Sequence, residues 1–209
     1  MKEEEFPQYV REIAEARNAF PDIEVLGGLE CEYVPEEESW YREVLLGPSG
    51  VQYLIGGFHH YLMNGEWMNS FTQVIDAETI RAYTDFTIRG MATGLFRFLA
   101  HPDLFGTRHQ GWNADDTAAV RDICQAAVDL HIPLEINANG LRKRPVLDGD
   151  ILRCQYPLPH FWDIAAEYPV EVLCNSDAHS PNVLWGTNED ALAFAQHYHL
   201  NVINETFTI

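Results

Sequence analysis

Apolar and polar positions alternate along the chain in two periods. Phe6, Val10, Ile13, Ala14 and Phe20 recur near every 3.6 positions with charges between them and predict a first helix, which Pro21-Asp22 ends. A strand is predicted over Ile23 to Tyr33, a short helix over Glu36 to Leu46 closed by Gly47-Pro48, and a second strand over Val51 to Phe58. Asn64 to Gln73 reads as a loop rich in aromatics and Asn. Ala77 to Thr93 reads as a helix and Leu95 to Ala100 as a third strand ending at His101-Pro102. Asp115 to Leu130 is a predicted helix, with Asp115 and Asp116 suited to its positive end. Ile132 to Asn137 is a fourth strand, and Gly140 to Pro157 a long irregular loop. Pro159 to Glu167 is a helix, Val170 to Asn175 a fifth strand, and Thr187 to His197 a last helix before a short strand near Asn201 to Asn204. Strands alternating with helices at this pitch imply parallel βαβ units. Pattern alone leaves a barrel and an open doubly wound sheet as alternatives.

Length and composition narrow the picture. The 209 residues fit a single domain over 1–209, and 46% apolar with 22% charged residues is ordinary globular composition. The 13 Lys and Arg against 32 Asp and Glu leave a net charge of −19, which excludes a nucleic-acid or anionic-membrane surface and suits a cation-binding protein. No apolar run is long enough for a transmembrane helix, and the charged, periodic N-terminus is not a signal peptide. Cys31, Cys124, Cys154 and Cys174 show no CxxC spacing and read as reduced thiols of a cytoplasmic protein.

The metal-competent side chains fall at predicted strand ends. Glu30 and Glu32 end the first, His59 and His60 the second, His101 the third, and Glu135 and Asn137 the fourth; Asp177 and His179 follow the fifth. Parallel strands open their C-termini on one rim, so residues far apart in sequence meet there. Imidazole with carboxylate is a ligand set for zinc, manganese or iron(II). In an extended segment His59 and His60 point to opposite sides, so one of them is expected at the rim. His109, His131, His160, His197 and His199 read as surface histidines. Four of the 13 basic residues, Arg142, Lys143, Arg144 and Arg153, cluster after the fourth strand, where a guanidinium could take a phosphate.

The ordered segments GLECEY (28–33), GGFHH (56–60), AHPDLF (100–105), LEINANGLRKRP (134–145) and CNSDAHSP (174–181) resemble the PHP (polymerase and histidinol phosphatase) family, nearest its monofunctional histidinol-phosphatase branch. The resemblance implies a distorted (β/α)7 PHP-type barrel with three divalent ions (Zn, Mn or Fe) at the strand C-termini. It makes Glu30 a bridge between two metals, completed at the second by His59 and His101. It makes Asp177 a ligand of the first metal and His179 of the third, and gives Asp177 and His179 the catalytic roles, Asp177 passing a proton to the leaving alcohol. Arg142 is matched to the substrate phosphate, and Glu32, His60, Glu135 and Asn137 to substrate-side or supporting positions. The implied reaction is hydrolysis of L-histidinol phosphate to L-histidinol and phosphate, in histidine biosynthesis.

The chain departs from the family pattern at its start. No HxH precedes Glu30, and the first 22 residues contain no histidine. The expectation is a barrel lacking its first two β/α units, about 60 residues at roughly 30 per unit, and with them four ligands. Fewer than three metals and a homo-oligomer that covers the exposed strand edges follow from that reading. The alternatives are a PHP phosphoesterase for another small phosphorylated substrate, or a catalytically impaired metal- or phosphate-binding fragment.

Overall fold

A computed structural model describes residues 3–107 and 111–209. The first helical pattern forms α1 (Phe6–Ala19), followed by a strand β1 (Gly28–Cys31) much shorter than the apolar run that predicts it. The helix expected over 36–46 is broken. Its α-helical part is only α2 (Glu38–Trp40), followed by a π turn over Tyr41–Leu45 that buries Tyr41 and Leu45. The main sheet continues with β2 (Tyr53–Gly56).

The aromatic segment read as a loop is a hairpin. Strand β3 (His60–Met63) pairs antiparallel with β4 (Glu66–Asn69) around Asn64-Gly65. Asn64 at φ 52° and Gly65 at φ 83° supply the left-handed turn that such two-residue hairpins require. Helix α3 (Ala77–Ala92) follows, closed at its start by a capping box between Asp76 and Thr79, and then β5 (Phe96–Leu99). Asn113 caps α4 (Ala114–Leu130), with Asp116 returning the bond. Strand β6 (Leu134–Asn137) runs directly into the short helix α5 (Ala138–Arg142).

The long segment after it also holds a hairpin, β7 (Val146–Asp148) against β8 (Ile151–Arg153). The chain closes with α6 (Pro159–Ala165), β9 (Glu171–Asn175), α7 (Asn188–His197) and β10 (Asn201–Val202).

Among the described residues one six-stranded parallel sheet has the order β1-β2-β5-β6-β9-β10. The strands follow one another without reversal, so this is not a doubly wound sheet, in which the order turns back at a switch point. Among the described residues β1 and β10 remain the two ends, with no pairing between them. The fold is therefore α/β with a parallel central sheet. Helix α4 packs against α3 on one side and α6 on the other. Leu54, Val120, Ile123, Leu134, Ile136, Phe161, Trp162 and Val172 fill the layer between helices and sheet and are fully buried. Among the described residues no helix is long and apolar enough to cross a membrane.

Candidate metal centre

Each strand delivers its polar side chain at its C-terminal end. Glu30 is the third of the four residues of β1, while His59 lies just past β2 and His101 just past β5. Glu135 and Asn137 are in β6, and Asp177 follows β9. A common strand direction places them along one edge. Two of these residues have an unusual backbone. His101 at φ 30° and Asp177 at φ 44° sit in the left-handed region without being glycine. Such conformations cost of order 1–3 kcal/mol and persist where the surroundings over-determine them.

Glu30, His59 and His101 form the centre. Glu30 Oε1 is 3.0 Å from His101 Nε2 and 3.4 Å from His59 Nε2. One ligand atom from each lies within 4.8 Å of the other two. Two imidazole nitrogens and one carboxylate oxygen facing a common point fit a divalent transition ion. The backbone makes room for the carboxylate at Gly57, where a Cβ would stand 2.1 Å from Glu30 Oε1.

Carboxylates hold the imidazoles from behind. Glu32 Oε1 lies 3.1 Å from His59 Nδ1 and 3.2 Å from His60 Nδ1, and the His60 amide donates to Glu32 Oε2 at 3.1 Å. Both histidines thus reach the acidic edge, where strand alternation would send one away. The chain bends at His59 between β2 and β3, so the period of two is interrupted there. Only His59 extends to Glu30; His60 stays on Glu32.

His101 is 4% exposed, and its amide donates to Glu135 Oε2 at 3.0 Å. Glu135 is buried as well and also receives the side-chain amides of Asn137 at 2.9 Å and Asn175 at 3.1 Å.

Charge follows this geometry. Burial opposes ionisation of Glu30, but the His101 hydrogen bond and the nearby imidazoles outweigh it and hold the carboxyl below its ordinary range. Glu32 is likewise lowered, burial being overcome by His59 and the His60 amide. Burial pushes Glu135 up against the opposing pull of His101 and the two amides.

Asp177 and His179 border the group of three without joining it: the Asp177 charge acts on His101 and that of His179 on Glu30. Asp177 Oδ2 receives amides from Asn137 at 3.1 Å and Asn139 at 3.0 Å. His179 is exposed, with Nδ1 3.0 Å from the Asp177 carbonyl and 3.4 Å from its Oδ1. Among the described residues no second cluster of three ligating side chains forms around them.

Arg142 is bound to the backbone of the Asp177 loop. Nη1 donates to the Gly186 carbonyl and Thr187 Oγ1, each at 2.9 Å, and Nη2 to the carbonyls of Ser176 and Asp177. Both terminal nitrogens brace the Asp177 loop, so the phosphate role matched to Arg142 in the sequence has no free nitrogen at that end of the fork.

Sequence reading did not single out Asn139, Asn175, Phe71 or Tyr156. Asn175 pairs in register with Asn137, so strand pairing brings it to Glu135. The Phe71 ring stacks on His59 at 5.7 Å and 14°, and the Tyr156 ring lies 6.2 Å from that of His101. His109, read as a surface histidine, lies outside the described residues.

A parallel central sheet with a histidine–carboxylate group at its strand C-termini defines the molecule as an α/β protein with a candidate metal-binding trio. The PHP domain family matches residues 1–139. The chain belongs to that family. It is 27% identical over 186 residues to a probable histidinol-phosphatase of Deinococcus radiodurans, covering 87% of this chain and 68% of the relative. The crystal structure of histidinol phosphate phosphatase from Lactococcus lactis, complexed with zinc, L-histidinol and phosphate, superposes with a TM-score of 0.65 at 14% identity. That match covers 94% of this chain and 75% of the other, and shows a shared fold.

Proposed function

We propose that this chain is a metal-dependent phosphomonoesterase of histidinol-phosphatase type, converting L-histidinol phosphate and water to L-histidinol and phosphate. The observation that carries the reading is the Glu30, His59 and His101 group at the C-terminal edge of a PHP-family sheet. The name of the Deinococcus relative and the histidinol and phosphate in the Lactococcus structure support the substrate.

Zinc, manganese or iron(II) suits the donor set; when bound, such an ion supplies Lewis-acid stabilisation of developing phosphoryl charge and acidifies water. Glu32 and Glu135 act from behind the ligands. Glu32 orients His59 through Nδ1, and Glu135 fixes the His101 backbone. Asn137 and Asn139 hold Asp177 by Oδ2, which leaves Oδ1 as the atom that would take the proton released by the attacking water and pass it to the leaving alcohol. His179 borders that oxygen.

In this reading the sheet is part of a distorted barrel. The four free cysteines support a reducing, cytoplasmic setting.

The test is phosphate release from L-histidinol phosphate by the chain loaded with each of the three metals. Metal-dependent release that Asp177→Ala abolishes is expected. Equal or better turnover of other phosphomonoesters would reassign the substrate, and no release with any metal would remove the phosphatase reading.

A further inference from the structure

Four acidic side chains, Glu30, Glu32, Glu135 and Asp177, crowd the edge where a phosphate dianion has to approach. In a chain of net charge −19, a positive side chain beside the metal centre would favour that approach further. Arg142 is engaged with backbone carbonyls and Thr187. Arg153 is engaged with Asp148 at 2.8 Å and with the carbonyls of Cys154 and Gly106.

Lys143 differs from both. Its Nζ lies 4.8 Å from the Tyr156 ring centroid and 5.8 Å from that of Phe71. Those same rings lie against the two histidines of the metal group, Tyr156 on His101 and Phe71 on His59. The ammonium therefore stands on an aromatic wall whose other end is the metal centre. Among the described residues it makes no ion pair and no hydrogen bond, so its three N–H donors have no fixed acceptor. Partial burial lowers its pKa while the Asp177 charge raises it, which places it in the field of that carboxylate.

We propose that Lys143 is the residue that receives the phosphate of the substrate beside the metal centre, held in place by the faces of Tyr156 and Phe71. A compact, rotatable ammonium on ring faces can turn its donors to phosphate oxygens without breaking a bond it already makes. Arg142 is then the residue that positions the Asp177 loop. The assignment rests on the phosphomonoesterase reading above, with phosphate as the shared ligand.

The test is inorganic phosphate binding to the metal-loaded chain by titration calorimetry, with KM and kcat measured in parallel on L-histidinol phosphate. K143M is expected to weaken phosphate binding and raise KM by about tenfold or more, since it removes charged hydrogen bonds. K143R should retain most of the affinity. Arg11→Met, which removes one charge from an exposed position of α1, should leave both unchanged.

Phosphate binding in K143M equal to wild type overturns the assignment, and turnover by wild type alongside it leaves the phosphatase reading standing. Absence of phosphate binding by the metal-loaded wild type also overturns it. Phosphate binding lost in K143M, in a chain that hydrolyses no phosphomonoester, supports Lys143 and overturns the phosphatase reading instead.

Discussion

Glu30 Oε1 and His101 Nε2 meet at 3.0 Å across 71 positions of sequence. One comes from β1 and the other from just past β5, with β2 between them in the sheet. His59, from just past β2, approaches the same oxygen. Three neighbouring strands therefore contribute one group each, and no local segment could form the centre alone.

Replacing Glu30 by Gln keeps the shape and removes the anionic ligand. Zinc affinity, measured by competition with a chromophoric chelator, should fall by more than the roughly 10–100-fold cost of losing an outer partner. Glu32→Gln removes an outer partner of His59 and should fall within that range. Equal losses in the two variants would contradict the division between ligand and support.

Gly57→Ala tests the space around Glu30. Its Cβ would stand 2.1 Å from Glu30 Oε1, so the flexible carboxylate has to move. Metal affinity should drop as in Glu30→Gln, while the thermal midpoint of the metal-free chain changes little. A large loss of stability with intact affinity would show that the backbone yields instead.

Arg142→Met should loosen the Asp177 loop. Four hydrogen bonds from the guanidinium tie Ser176, Asp177, Gly186 and Thr187 to the end of α5. Loss of about 2 kcal/mol is expected, seen as a midpoint lower by roughly 4–8 °C. Hydrogen exchange should quicken at residues 176–187 ahead of the rest.

Asp103 gives stability a pH dependence. It is buried, and its carboxylate accepts the Leu158 amide at 2.6 Å and the Trp162 indole N–H at 3.0 Å. Burial pushes its pKa up to about 6, against the pull of those two donors. The unfolded value is about 3.9, so the folded state binds the proton more tightly. This contribution is fully present below about pH 4 and is lost as pH rises through about 6. Denaturant unfolding of the metal-free chain should show wild type losing ground to Asp103→Asn between pH 4 and 6, with a constant difference above. A difference that stays flat across pH 4–6 would contradict the shift.

Much of this molecule is written in local periods. The helices α1, α3, α4 and α7 and the C-terminal ends of the parallel strands follow from apolar spacing and capping residues, and those ends carry the metal-competent side chains. Two hairpins were also legible in principle: Asn64-Gly65 is a strong turn signal that the aromatic setting obscured, and Gly149-Asp150 joins β7 to β8. The sequence by itself thus determined the α/β class, the strand ends and the candidate ligands.

Only the tertiary structure decided which of them meet. It set His59 and not His60 on Glu30, brought Asn175 to Glu135 by register, bound Arg142 into the Asp177 loop and left Lys143 on the Tyr156 ring. The reason is physical: a period reports which side of one element a residue faces. Distances between side chains depend on strand order, register and the path of the loops that join them.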